Sequence, residues 1–233
     1  MSFDANLQRR LPRDLAAELL ALARAHGAEF AEIYAEHTIT SGFSFEENRL
    51  KTSSYSITEG LGVRAVIGEQ TGYAYADGLD PDDLREAARV AARIARDGRG
   101  GDAPRAFRVV DAPPPFTLAA PAPTALDERA KIALVRRAND AARAHDARVH
   151  EVSVGFGDSS RSFVVANTDG VWAADDQFLC RLSASALALD GGQRQQGFAA
   201  GGGSVEAAYY DGVKSPETIG AEAARIAITL LSA

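Results

Sequence analysis

The stretch Glu59-Gly60-Leu61-Gly62-Val63-Arg64-Ala65-Val66-Ile67-Gly68-Glu69-Gln70-Thr71-Gly72-Tyr73-Ala74-Tyr75-Ala76-Asp77 decides how the rest of the chain is read. Leu61, Val63, Ala65 and Ile67 alternate with Gly62, Arg64, Val66 and Gly68, the period of two that marks a strand. Glu69 to Gly72 reads as a hairpin turn, and Tyr73 to Ala76 as the returning strand. Gly60-Leu61-Gly62-Val63-Arg64-Ala65 also fits the form GxGxxG/A of a dinucleotide fingerprint. That fingerprint works only where a strand gives way to a helix whose N-terminus faces a pyrophosphate. A hairpin offers no such helix, so nucleotide binding is set aside.

Upstream of this stretch, Pro12 stands at an N1-like position and starts a helical run in which Leu15, Leu19, Leu22 and Ala23 share a face, closed by Gly27. Four β segments are expected next, over 29–40, 42–50, 56–67 and 70–76. Asp80-Pro81-Asp82-Asp83 then supplies an N-cap, an N1 proline and two first-turn carboxylates for a helix through Leu84, Ala88, Ala91 and Ala95 to Gly98. Residues 98–124 break the pattern with Gly98, Gly100, Gly101, Pro104, Pro113, Pro114, Pro115, Pro121 and Pro123. Such proline density forbids a central strand or regular helix, so an irregular surface connector is expected, packed down in part by Phe107, Val109, Val110 and Phe116.

Beyond the connector the order recurs. A helix carries Leu126, Ala130, Ala133, Leu134, Arg137 and Ala141 to near His145, strands are expected over 149–156, 161–166, 170–174, 178–189 and 193–200, and a last helix starts at Pro216. The expectation is an α+β protein of two similar lobes, residues 1–97 and 125–233, each an antiparallel sheet flanked by helices, built by internal duplication of one design. Local chemistry repeats too: Phe45-Glu46-Glu47-Asn48-Arg49-Leu50 and Ala166-Asn167-Thr168-Asp169-Gly170-Val171 each precede a strand.

Composition narrows the function. A chain of 233 residues, 46% of them hydrophobic, is long enough to bury a core. Its net charge of -7 and pI near 5.2 lack the basic footprint that dominates nucleic-acid affinity, so no direct nucleic-acid partner is expected. The single cysteine, Cys180, rules out an internal disulfide and suits a reducing compartment. No basic stretch leads into an apolar one at the N-terminus, and no apolar run nears the roughly 20 residues of a membrane helix. A cytoplasmic protein without a membrane partner is expected.

Glu59 to Asp77 resembles the N-terminal region of the TldD/PmbA family, and its GYAYAD ending resembles the TldD branch in particular. Phe30-Ala31-Glu32-Ile33-Tyr34-Ala35-Glu36 and Phe45-Glu46-Glu47-Asn48-Arg49-Leu50-Lys51 are similar to the family's opening strands. Pro216-Glu217-Thr218-Ile219-Gly220, Ala223-Ala224-Arg225 and Leu231-Ser232-Ala233 are similar to its mid-chain helix, so the likeness spans essentially the whole chain. The resemblance implies a zinc metallopeptidase acting on peptides and unfolded or modified polypeptides, historically a modulator of DNA gyrase. Its zinc site would be an HExxxH motif plus a later cysteine in the C-terminal half. On this likeness the chain stops shortly before that motif, holds no cofactor itself, and contributes a subunit interface and a peptide-access surface, inactive alone. The last helix agrees: Ile219, Ala223, Ile226, Ala227 and Leu230 form an apolar face running to Leu231-Ser232-Ala233 with no glycine cap or basic turn. A reading of another class is a non-catalytic module that pairs with a full-length TldD or PmbA paralogue. Either way the expected partner is a second family subunit, in a homo- or heterodimer.

The residues themselves offer little catalytic chemistry. A zinc peptidase needs at least three convergent ligands and a general base. His26 and His145 fall at helix ends, His37 and His150 in strands, and His150-Glu151 is followed by Val152-Ser153-Val154-Gly155-Phe156 with no second histidine. No catalytic or metal-ligating residue is therefore assigned. Cys180 alternates with Leu179 in a strand and reads as a packing residue. Glu46–Glu47 and Asp175–Asp176 read as turn and surface charges, because neighbouring strand residues face opposite ways. The run Gln195-Gln196-Gly197-Phe198-Ala199-Ala200-Gly201-Gly202-Gly203-Ser204 lacks the Lys-Ser/Thr of a phosphate loop. It reads as a flexible strand end, or as backbone that an extended peptide approaches closely. On the second reading Gly201, Gly202 and Gly203 border a substrate path that Tyr209 and Tyr210 line, and Gly202→Val impairs turnover more than folding.

Overall fold

The computed structural model describes residues 4–96, 110–111, 126–212 and 214–232. Two helices, α1 (Asp4–Arg10) and α2 (Arg13–Ala23), precede strands β1 (Phe30–Glu46), β2 (Arg49–Ile67) and β3 (Gln70–Asp77) and helix α3 (Pro81–Arg96). A two-residue strand, β4 (Val110–Asp111), leads to α4 (Glu128–His145), then β5 (Val149–Asn167), β6 (Val171–Asp190), β7 (Gln193–Gly203), a 3-10 turn (Ala207–Asp211) and α5 (Pro216–Leu231). The strands are ordered β3-β2-β1-β5-β6, with β4 and β7 each paired to β6. The hairpin of the deciding stretch forms in the expected register, antiparallel from Gly60↔Asp77 to Ile67↔Gln70. The fold is the α+β class that the sequence predicts, antiparallel sheet flanked by helices.

Strand number differs from the expectation. The first half has three strands where four were expected, because β1 runs unbroken through Ser41-Gly42 and turns only at Glu47 and Asn48, whose φ values of 49° and 61° make the tight reversal. The second half likewise has three where five were expected, since β5 continues through Gly157-Asp158-Ser159-Ser160 and β6 through Asp175-Asp176-Gln177. Those polar stretches look like turns by composition, yet Asp158, Ser160 and Ser162 are buried strand residues. Asp176 accepts a hydrogen bond from Ser162, so Asp175–Asp176 lie within a strand and are not turn charges. At the N-terminus, α1 was not anticipated, and Pro12 takes the N-cap of α2 rather than N1. His26 lies beyond the end of α2. Asp127 caps α4 through the amide of Ala130, and Ser215 caps α5 through that of Thr218. The expected connector at 98–124 lies outside the described residues except at Val110–Asp111, which pair in parallel with Val171 and Trp172.

The described residues form two compact units that cut across the expected division at the connector. The first takes Met1–Thr38, Ile57–Phe116 and Arg161–Asp176; the second takes Ile39–Ser56, Thr117–Ser160 and Gln177–Ala233. Strands β1, β2, β5 and β6 are 17 to 20 residues long, about 60 Å at the usual rise, and each gives one segment to either unit. In the first unit Leu19, Ile33, Leu61, Val63 and Leu84 centre the core. In the second, Phe43, Val135, Val154, Phe156, Leu182 and Ile219 do so.

Each unit solves the same packing problem in the same way. A Cβ on Gly72 of β3 would stand 2.0 Å from the Ala91 carbonyl and 2.6 Å from the Ala95 amide of α3. A Cβ on Gly197 of β7 would stand 2.1 Å from the Ala223 carbonyl and 2.5 Å from the Ala227 amide of α5. A helix can lie that close to a strand only where the strand residue has no side chain.

Candidate functional site

Alternation along the second unit's strands sends one set of side chains toward α4 and α5 and the other set away. Cys180 and Leu182 are buried, whereas Leu179, Arg181 and Phe198 stand exposed on the opposite face. On that outer face lies a groove of about 630 Å³, lined by Gly157, Asp158, Ser159, Leu179, Cys180, Arg181, Ala200, Gly201, Gly202 and Gly203. The glycine run is thus the groove's floor and continues β7 instead of hanging as a loose end. It pairs to β6 through Cys180↔Gly203, Arg181↔Gly202 and Leu182↔Gly201.

Tyr209 and Tyr210 do not line this groove. Tyr210 is 1% exposed and its hydroxyl donates to the Gly201 carbonyl at 3.3 Å and toward Cys180 Sγ at 3.5 Å, supporting the floor from the helix side. Its ring meets Tyr209 and Phe156 edge-on, at 5.2 and 6.0 Å between centroids. Burial, and then the Cys180 sulfur, push the Tyr210 phenol well above its ordinary range, and burial pushes the Cys180 thiol up as well. Neither group is a ready nucleophile at neutral pH. Gly202 has φ 146°, and a Cβ there would meet the Cys180 carbonyl at 2.1 Å and Arg181 Cα at 2.7 Å. Gly202→Val therefore strikes the fold itself and cannot separate turnover from folding, contrary to the expectation from sequence.

One side of the groove rests on a buried ionic cluster that sequence inspection missed. Lys131 of α4 donates to Ser41 Oγ of β1 at 2.9 Å, and Ser41 donates to Asp158 Oδ1 of β5 at 2.6 Å. The Lys131 ammonium also stands 2.6 Å from Asp158 Oδ2, an ionic contact without the alignment of a hydrogen bond, so Oδ2 accepts none. The two side chains are 8% and 1% exposed.

The first unit carries a smaller groove of about 270 Å³ on its outer face, bordered by Tyr34, Glu36, Gly60, Gly62, Tyr73 and Tyr75 among others. The Tyr34 hydroxyl donates to Glu36, and partial burial followed by that carboxylate pushes its pKa up to about 12. Glu59, which opens the deciding stretch, is held by the Arg10 guanidinium and by His37 Nδ1 at 2.7 Å, and Arg10 keeps its carboxyl below the usual range.

Comparison with known proteins decides the family. Residues 31–95 match the PmbA/TldA metallopeptidase domain 1, and residues 121–231 match the PmbA/TldA metallopeptidase central domain. The chain belongs to the TldD/PmbA family. A Metalloprotease TldD homolog from Haemophilus influenzae is 33% identical over 210 residues, covering 88% of this chain and 43% of the relative. One from Buchnera aphidicola subsp. Acyrthosiphon pisum is 30% identical over 183 residues, covering 78% and 37%. The chain thus spans less than half the length of these curated TldD relatives. Among solved structures, a candidate modulator of a DNA gyrase from Thermotoga maritima superposes with TM-score 0.72 at 21% identity, over 94% of this chain and 48% of that one. TldE from Thermococcus kodakarensis superposes with TM-score 0.63 at 16% identity, over 81% and 42%. At those identities the likeness establishes the TldD/PmbA fold alone.

The family's metallopeptidase description implies a metal, and the described residues do not fit one. Among them no three His, Cys, Asp or Glu side chains come together as a ligand set. His37 is engaged with Glu59, and His150 is exposed on β5 with its Nδ1 4.0 Å from Glu151. No catalytic step is derived through a metal from these residues. No helix among them is long and apolar enough to cross a membrane.

Proposed function

We propose that this chain supplies the peptide-contacting, non-liganding part of a TldD-like metallopeptidase, whose zinc and general base belong to a region with the HExxxH motif outside these residues. The observation carrying this reading is a groove floored by glycine on the sheet face opposite α4 and α5, in a chain matched to a metallopeptidase's first and central domains. Glycine lets a ligand backbone lie against the sheet, and exposed Leu179 and Phe198 give apolar contacts at its border. Substrate would be a peptide or unfolded polypeptide, and the assembly would pair this chain with a second family subunit in the cytoplasm.

The test compares residues 1–233 with the protein extended through an HExxxH region, alone and mixed with a second family subunit. Metal content after dialysis and cleavage of an unfolded polypeptide are the readouts. The extended protein should retain zinc and cleave in a chelator-sensitive manner, while residues 1–233 do neither. Chelator-resistant cleavage by the 233 residues would overturn the assignment.

A further inference from the structure

We propose that the glycine-floored groove selects peptides bearing an acidic side chain next to an apolar one, and that Arg181 reads the charge. This rests on the reading of the groove as a peptide-contacting surface. Two charged residues line the groove, and they are not equivalent. Asp158 is 5% exposed and already neutralised by Lys131, so its charge is spent inside the fold. Arg181 is exposed and makes no ion pair among the described residues. Its guanidinium lies over the Phe198 ring at 5.9 Å, and Phe198 is itself 53% exposed.

A guanidinium attracted to an aromatic face still has N–H groups to offer a carboxylate. Leu179 stands two residues away on the same face, with 55% of its surface open to an apolar neighbour of that carboxylate. In a chain of net charge -7, an unpaired cation beside exposed apolar side chains is a complementary seat for one acidic, otherwise apolar segment.

The probe is a capped, fluorescein-labelled peptide of alternating threonine and leucine with one central glutamate, and its counterpart with glutamine, titrated into the 233-residue protein by anisotropy. Two variants, checked for unchanged melting, accompany the wild type: Arg181→Gln, and Ala200→Trp to fill the groove. The glutamate peptide should bind about fivefold more tightly at low salt, a preference that fades as salt rises. Arg181→Gln should erase the preference and leave the glutamine peptide's affinity as it was. Ala200→Trp should weaken both. Equal wild-type affinity for the two peptides, or a preference that survives Arg181→Gln, overturns charge selection while groove binding stands if Ala200→Trp still weakens both. Absence of binding by either peptide, or binding indifferent to Ala200→Trp, removes the peptide-contacting reading and the proposal with it.

Discussion

Lys131 and Asp158 show what a single residue type conceals. In the sequence Asp158 sits in Gly157-Asp158-Ser159-Ser160, which reads as a turn, and Lys131 sits in a helix where lysine is ordinarily solvated. Their burial follows from strand and helix meeting with opposite charges, which no local pattern announces. A buried pair adds little net stability, but removing one partner strands a charge in the interior. Lys131→Met should therefore cost about 3 kcal/mol in chemical denaturation. The double variant Lys131→Met, Asp158→Leu should cost clearly less than the sum of the single changes. Additive losses would mean that the two side chains do not interact. The glycine run reads in the sequence as a flexible strand end or as backbone approached by a peptide, and the structure places it within β7, paired to β6. The exposure of Leu179, Arg181 and Phe198 could have been found from alternation about Cys180, whereas the placing of Tyr209 and Tyr210 beneath the floor depends on a chain reversal after β7 that local pattern leaves open.

At the scale of elements, α2 to α5 and the deciding hairpin were legible and α1 was not, because caps and periodic alternation are local signals that the first residues lack. Strand lengths were not. Serine, glycine and aspartate in mid-strand read as breaks by composition, although their polar groups find partners across the sheet, as Ser162 does with Asp176. The packing of helix on strand yields a paired expectation. Gly72→Ala and Gly197→Ala each push a methyl into helix backbone, so each should destabilise by about 2 kcal/mol or more, and by similar amounts. A neutral result at either position in thermal melts would show that the helix shifts freely. Arg137 of α4 clamps Glu217 of α5 at 2.6 and 3.0 Å, and this guanidinium draws the Glu217 pKa from 4.5 down to about 2. The folded value lies below the ordinary one, so the pair's contribution is present above pH 4.5 and is lost as pH falls toward 2. The contribution is small, because both side chains are about half exposed. Wild type and Glu217→Gln should differ in melting temperature at neutral pH and converge in acid.

At the scale of the whole molecule, the order helix, strands, helix was visible twice in the sequence. Our reading of it as a duplicated design gains support from the matched glycine contacts of β3 on α3 and β7 on α5. What no boundary drawn along the sequence conveys is the exchange of strand ends between units, because that depends on the long strands being continuous. The exchange bears on how the gene could be cut. A break between residues 97 and 125 would leave an N-terminal piece without Arg161–Asp176 and a C-terminal piece without Ile39–Ser56, each the other's missing ladder. Neither piece should fold when made by itself, whereas the two expressed together should reconstitute a stable heterodimer that co-purifies and melts as one. A cut in that part of the sequence is therefore not a cut between folding units.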